Sequence, residues 1–490
     1  MKVAFYLDNA GIAEVDLRYP EKGNPGIGGT EYMTVMIANA LSKRYGNVME
    51  VSILAANICR LPAACRARHA ATFKEAAEQA ARNCIDILIF KPGTGSLLAE
   101  QISSLESHPT VKAIAWAHNL LLACDWDCLH CSKSIAAVVN VGREQLDFYR
   151  DHPLFYKSTV IYNCLDPAAF GKSIKPITTS SRVVYMGCLV EEKGFGILAQ
   201  AWRKILAQVP HAELHVLGTG RLYGRDSVPG CWGIAEPSFE KKFMPYLLDE
   251  RGSLLSSVKF HGILGPEKDD LLASAAVGVV NPSGEGESFC ISAVEFQAHH
   301  VAVVSARDWG LLDTVQHGRT GLLCRNKEEL TSNVVKLLKD IRLRTKLGEA
   351  AYAFAKAQFQ VNHIAPEWNR LLVAVEQDLP LRKISMKPNI FYRNKLTKEI
   401  VRRLKLAIPM LKNLPPIENR GLRSAFRALR YIRASNSSPS RPAYCAILAK
   451  ETSSGQTYHP QTSTASYWAK LLRCAGASSS GRIGEPPNTL

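Results

Sequence analysis

In the stretch GEGESFCISAVEF, residues 284–296, two carboxylates stand eight positions apart, Glu287 and Glu295, on either side of a small-polar turn. An apolar run of strand length, VGVVN at 277–281, leads into Asn281-Pro282-Ser283. Gly284 and Gly286 then permit a tight turn, and Ile291, Val294, Glu295 and Ala298 follow at helical spacing. Glu287 is therefore expected just ahead of a helix N-terminus, and Glu295 about two turns inside it, roughly 12 Å along the axis. Backbone amides near Ser288 to Cys290 would form an anion site between the two carboxylates. An extended ligand with a phosphate in its middle and hydroxyls at both ends matches that layout, and a nucleotide-sugar is such a ligand. Taken alone, two glutamates at this spacing more often belong to an exposed surface.

A second group of reactive residues lies in CDWDCLHC, where Cys124, Cys128 and Cys131 are separated by three and two residues. Radical S-adenosylmethionine enzymes use this spacing to hold a 4Fe–4S cluster. With His118 or His130 the same thiolates would suit zinc. The competing expectation is ordinary reduced cysteines. The thirteen cysteines are scattered without framework spacing, and the N-terminus reads as a buried strand ending at Asp8, not as a secretion signal. A cytosolic protein is the expectation.

The elements that must position these residues alternate. Strand-length apolar runs occur at 2–7, 50–55, 85–90, 111–116 and 135–139, with helical patterns at 31–44 and 73–82 among them. The pattern restarts with strand candidates at 182–186, 212–217, 257–261, 277–281 and 301–305. Helix candidates lie at 194–208, 266–275, 290–299, 309–316, 327–340 and 342–358. Strands alternating with helices predict α/β architecture with parallel sheets, and SIKPITTSS at 173–181 reads as a linker between two such halves. Ligands of open α/β sheets bind at the carboxyl ends of the strands.

A length of 490 residues is consistent with more than one domain. No apolar run approaches the roughly 18 residues of a membrane-spanning helix. The net charge of +16 is localised: residues 382–441 hold sixteen Lys and Arg against two Glu, and residues 442–490 hold four against two. Residues 1–381 are therefore electrically balanced. The tail places Leu396, Ile400, Leu404, Ala407 and Leu411 on one helical face among basic residues, a pattern suited to an anionic membrane surface. No aromatic platform accompanies the charge, so nucleic acid is not an expected partner.

The segment 281–323, NPSGEGESFCISAVEFQAHHVAVVSARDWGLLDTVQHGRTGLL, resembles the donor-site signature of family 4 retaining glycosyltransferases of the GT-B fold (glycosyl transferases group 1). Glu287, Glu295, Gly310 and GRTGLL at 318–323 carry the likeness. VVYMGCLVEEKGFGILAQAW at 183–202, VIYNCLDPAAF at 160–170 and GIGGTEYMTVMIANAL extend it over roughly residues 1–380. The resemblance implies two Rossmann-like open parallel-sheet domains facing across a cleft, with a basic, partly helical or disordered C-terminal tail. It divides the chain into an acceptor domain, 1–172, a nucleotide-sugar donor domain, 182–360, and a helix over 361–381 that crosses back to the first domain. The basic amphipathic tail then spans 382–434, and 435–490 is expected to be disordered.

By the same resemblance, Glu287 faces the transferred sugar, Glu295 the ribose, and the Phe289 and Cys290 amides the diphosphate. Lys193, after Gly187 in the strand-loop-helix motif, neutralises the leaving diphosphate. Gly28 and Gly29 let the first domain's backbone approach the donor, and His118 in AWAHNLL lies on the acceptor side. The implied function is transfer of a sugar, with retention, from a nucleotide-sugar to a glycan or lipid-linked acceptor in surface polysaccharide or lipopolysaccharide assembly. No metal or other cofactor is implied, and no Asp-x-Asp motif is placed to contradict that. Three positions depart from the family pattern: Cys188 replaces an Arg, and Cys290 and Cys164 each replace a Gly. Loss of one cation at the diphosphate costs on the order of 2–4 kcal/mol in the transition state. Cys188 thus admits another reading, a protein that binds a nucleotide-sugar without turning it over.

Overall fold

The structure, a computed structural model, describes residues 1–150, 152–170, 180–221, 228–382, 400–401, 403–405, 407–408 and 411. Most of the expected linker and basic tail, and all of the segment after 435, lie outside these residues.

Seven strands form the first sheet: β1 (Lys2–Leu7), β2 (Glu50–Ala55), β3 (Arg66–His69), β4 (Ile87–Phe90), β5 (Lys112–Ala117), β6 (Ile135–Asn140) and β7 (Ser158–Val160). The second sheet has six: β8 (Arg182–Met186), β9 (Glu213–Leu217), β10 (Val258–Gly262), β11 (Val277–Val280), β12 (Val303–Ala306) and β13 (Gly321–Cys324). The orders are β3-β2-β1-β4-β5-β6-β7 and β10-β9-β8-β11-β12-β13, with every pair parallel. Each sheet thus reverses direction once, between β1 and β4 and between β8 and β11. In open α/β sheets that reversal opens a crevice at the strands' carboxyl ends.

Strands buried on both faces read as continuous apolar runs, so the central strands lie within two residues of their expected positions. Three strands were not anticipated. β3 (RARH) is a largely exposed polar edge, and β7 has three residues. β13 (GLLC) is a four-residue run that begins inside the GRTGLL motif.

Helix Gly29–Tyr45 covers one face of the first sheet with Met33, Met36, Ile37 and Leu41. Helix Val361–Glu376, which follows the second domain in sequence, joins that face. Its buried Trp368 contacts Phe5 and Trp116 at ring distances of 6.3 and 4.6 Å. Lys112 Nζ donates to the Val375 carbonyl at 2.9 Å, fixing the far end of this helix. In the second domain, helices Phe195–Leu206 and Lys327–Lys339 cover one face through Trp202 and Val334. Helix Ile291–Ala298 covers the other: a Cβ at Gly278 would sit 2.7 Å from the Phe296 ring, so glycine lets that ring lie on β11. The same helix faces both ways. Ala293 and Phe296 enter its own domain's core, while Val294, Ala298 and the preceding Phe289 enter the first domain's.

Candidate functional site

The carboxyl ends of β8 and β11 bring together two turns distant in sequence. After β8, Glu191–Lys193 form one turn of 3-10 helix that ends at Gly194 in the left-handed region, φ +69°. A Cβ at Gly194 would lie 2.4 Å from the Ser283 amide nitrogen, so only glycine allows this turn to press on the one after β11. Ser283 Oγ donates to the Glu192 carbonyl across the same contact. Asn281, at φ +34°, organises the second turn, its Oδ1 accepting from the Gly284 amide at 2.9 Å.

Glu287 lies where the turns meet. Its Oε2 accepts from Lys193 Nζ and from Asn281 Nδ2, each at 2.9 Å, and its Oε1 accepts from the Cys290 amide at 2.9 Å. Burial alone would raise this carboxyl, but the Lys193 ammonium and the hydrogen bonds from Asn281, Lys193 and Cys290 outweigh it and hold the group below its ordinary value. Glu287 is an ionised, preorganised acceptor beside a cation.

The Cys290 amide therefore does not present itself to a phosphate, as the sequence suggested, because the side chain three residues earlier has taken it. In the first turn of helix Ile291–Ala298 the Ala293 amide donates to the Cys290 carbonyl at 3.1 Å, and the amides ahead of it are the donors that a helix N-terminus offers a ligand. Cys290 is in the left-handed region at φ +67°, which gives a physical reason for glycine at this position in the resembling family. Burial and the neighbouring Glu287 carboxylate push its thiol well above the usual range, so it stays protonated. The Phe289 side chain is buried against Tyr162 and Phe359 at ring distances of 5.7 and 5.3 Å.

Glu295 Oε1 pairs with Lys268 Nζ at 2.7 Å, with both side chains about nine-tenths buried. Lys268 was missed from the sequence, where it is one of several charges in GPEKDD. Cys188 is 1% exposed, and its Sγ lies 3.3 Å from the Thr219 carbonyl. Gly187 packs behind it: a Cβ at Gly218, φ +126°, would sit 2.1 Å from the Gly187 carbonyl.

The first domain closes over this constellation. Gly28 caps helix Gly29–Tyr45, and a Cβ at Gly29 would contact Ile291 at 3.9 Å, placing that glycine-rich turn at the start of helix Ile291–Ala298. His118 follows β5, and its carbonyl accepts from Ser288 Oγ. Its ring packs against Trp116 at 4.4 Å, tilted by 47°, and Nε2 has no hydrogen-bond partner. Burial, with a smaller contribution from Lys91, pushes His118 down to about 3, so the imidazole is neutral. Beside Ser288, Asp313 of the second domain accepts from the Arg143 amide at 2.7 Å, Arg143 Nε at 2.5 Å and Tyr162 Oη at 3.2 Å, all from the first.

Cys124, Cys128 and Cys131 lie at i, i+4 and i+7 on helix Ala123–Cys131. Helical rise spreads them over roughly 10 Å along one face, so the thiols do not converge as cluster or zinc ligands must. Among the described residues no group of three or more His, Cys, Asp or Glu side chains is arranged to hold a metal ion. The alternative metal or cluster site is therefore not formed.

Residues 180–340 match the sequence profile of the family described as "Glycosyl transferases group 1". The chain is 30% identical over 96 residues to the N-acetyl-alpha-D-glucosaminyl L-malate synthase of Bacillus anthracis, a match covering 19% of this chain and 25% of that relative. Among solved structures it resembles sucrose-phosphate synthase from Thermosynechococcus elongatus, with TM-score 0.59 and 17% identity, over 77% of this chain and 100% of the other. It also resembles HepE of Anabaena, solved with UDP and glucose, with TM-score 0.57 and 17% identity, over 76% of this chain and 100% of the other. These likenesses show the fold, the two-domain GT-B arrangement.

Proposed function

We propose that this chain, whose second domain belongs to the glycosyl transferases group 1 family, is a glycosyltransferase that moves a hexose from a nucleotide-sugar to a glycan or lipid-linked acceptor with retention of configuration. One observation carries the reading: the partly buried Glu287–Lys193 pair lies at the reversal point of the second sheet, with the glycine-rich turn of the first domain opposite. A buried carboxylate and ammonium are stable together and costly apart. A donor entering between them replaces one pair by two: its diphosphate takes Lys193, and its sugar hydroxyls donate to Glu287. The glycosidic bond then breaks with its electron pair on the diphosphate, whose growing charge Lys193 meets. An acceptor hydroxyl bonds to the same sugar carbon and gives its proton to the departing diphosphate. Neutral His118, with Nε2 unpartnered, offers a hydrogen bond to a hydroxyl beside that carbon. Glu295, held by Lys268, receives the ribose hydroxyls. Lys193 and the helix amides supply the positive charge without a metal ion.

HepE binds UDP and glucose, which makes UDP-hexoses the first donors to test. Surface polysaccharide or lipopolysaccharide assembly at the inner face of the cytoplasmic membrane is the setting we assign. Among the described residues no helix is long and apolar enough to cross a membrane. Attachment is assigned to the basic tail, where Ile400, Leu404 and Ile408 are 50, 43 and 41% exposed at a spacing of four.

The test is thermal stabilisation by UDP, GDP, ADP, TDP and CDP. One nucleotide raises the melting temperature of the wild type, and the shift shrinks in Glu295→Ala and Lys193→Ala. No shift with any of them overturns the donor site. A second reading, binding without turnover, is favoured by the burial of Cys188 where the family has a cation. It predicts the same shift with no donor consumed in the presence of cell-envelope acceptors.

A further inference from the structure

The turn that carries Glu287 is not held by its own domain alone. The Gly310 amide donates to the Glu287 carbonyl at 2.8 Å, and Gly310 opens the short helix Leu311–Thr314. On that helix Asp313, whose side chain is fully buried, receives three hydrogen bonds, all from the first domain: the Arg143 amide, Arg143 Nε and Tyr162 Oη. The residue after Glu287 is clamped as well. Cβ atoms at Gly142 and at Gly310 would lie 2.3 and 2.2 Å from the Ser288 carbonyl oxygen, so Ser288 is held between two glycine backbones, one from each domain. Beyond it Phe289 packs into the first domain's core against Tyr162. A carboxylate buried without its cation is strongly disfavoured, so Asp313 is satisfied only while Arg143 is docked.

We propose that Arg143 is a positioning residue for Glu287. By binding Asp313 across the junction it fixes the Gly310 turn, and through the Gly310 amide it fixes the backbone from which the Glu287 carboxylate reaches Lys193. Asp313 and Tyr162 complete the latch. The site is then assembled only in the docked arrangement of the domains. The importance of Glu287 rests on the function proposed above; the latch itself rests on the contacts alone.

The test needs no donor. Two amides report the placement of Glu287 directly: Cys290, which donates to its side chain, and Gly310, which donates to its main chain. In Arg143→Ala, hydrogen exchange over residues 284–290 and 310–314 accelerates by about tenfold or more, while strands β8 and β11 keep wild-type protection. Asp313→Asn does the same, and the double variant exchanges no faster than either single one. Arg143→Lys, which keeps the charge, recovers much of the protection. Unchanged exchange in Arg143→Ala overturns the proposal, and so does acceleration spread equally over β8 and β11, which marks general destabilisation. With a donor from the nucleotide screen, kcat falls by about thirtyfold or more while donor KM stays within about threefold; a raised KM at unchanged kcat also overturns it. Absence of any nucleotide shift in the wild type removes the donor-site reading and leaves the exchange result to decide the latch.

Discussion

Glu287 accepts three hydrogen bonds in a partly buried position, and each donor has a separate consequence when the carboxylate is changed. Glu287→Gln keeps the shape but removes the charge that Lys193 balances. Donor turnover is expected to fall by about a hundredfold or more, as for loss of a preorganised electrostatic contact at a reacting centre. Nucleoside diphosphate binding is expected to persist or tighten, because Lys193 is released to the phosphates; calorimetric titration against the nucleotide found by thermal shift checks this. His118 gives a pH prediction. Unfolded, it takes up a proton below its ordinary value of 6.5, and folded, burial holds it to about 3. Between those values the unfolded chain binds a proton that the folded chain refuses, so stability falls as pH drops through this window. His118→Gln should flatten the dependence of Tm on pH between 6.5 and 4; an unchanged slope would falsify the assignment. The residue types of Glu287, Lys193 and His118 were legible because each sits at a strand end within a motif. Lys268 and Asp313 were not, because their partners Glu295 and Arg143 are brought to them only by the fold.

At the scale of elements, the strands carried the message and the turns held back the detail. Central strands such as β1 and β8 are buried on both faces, so their apolar runs mark them, whereas β3 is a polar edge with nothing to bury. What no periodicity reveals is the left-handed backbone at Asn281, Cys290 and Trp309, which aims the turns around the site. Gly194 and Gly286 separate strain from contact. Both have positive φ, +69° and +63°, but a Cβ at Gly194 meets the Ser283 nitrogen at 2.4 Å, while at Gly286 nothing lies within 4 Å. Gly286→Ala should cost only the left-handed penalty, about 1–2 kcal/mol. Gly194→Ala should cost visibly more, because two backbones must separate, and it should raise donor KM by displacing Lys193. Scanning calorimetry on the pair checks the order. Cys290→Gly relieves left-handed strain but loses a small buried side chain, two terms of about 1 kcal/mol each with opposite sign, so its Tm should change little.

At the scale of the whole molecule the charge is divided between a neutral body and a strongly basic extension. Residues 382–441 carry sixteen Lys and Arg against two Glu, and residues 1–381 sum to zero. A basic segment near an anionic leaflet gains about 1 kcal/mol per Lys or Arg, within a Debye length of roughly 8–10 Å at physiological salt. Even partial engagement of so many charges exceeds what a single small apolar stripe supplies, so attraction should come first and insertion of Ile400, Leu404 and Ile408 second. The order is testable. The full chain should sediment with vesicles containing phosphatidylglycerol, should not sediment with purely zwitterionic vesicles, and should be released as salt rises to about 0.5 M, where the Debye length shrinks to a few ångströms. A chain ending at residue 382 should stay in the supernatant under all three conditions while keeping its nucleotide shift, since the Glu287–Lys193 pair lies wholly in the part retained. Sedimentation of the shortened chain with anionic vesicles would move the membrane contact onto the two-domain body. Replacing Ile400, Leu404 and Ile408 together by Ser should leave low-salt binding largely intact but lower the salt concentration at which half the protein is released, because the apolar contribution is the part that salt does not screen.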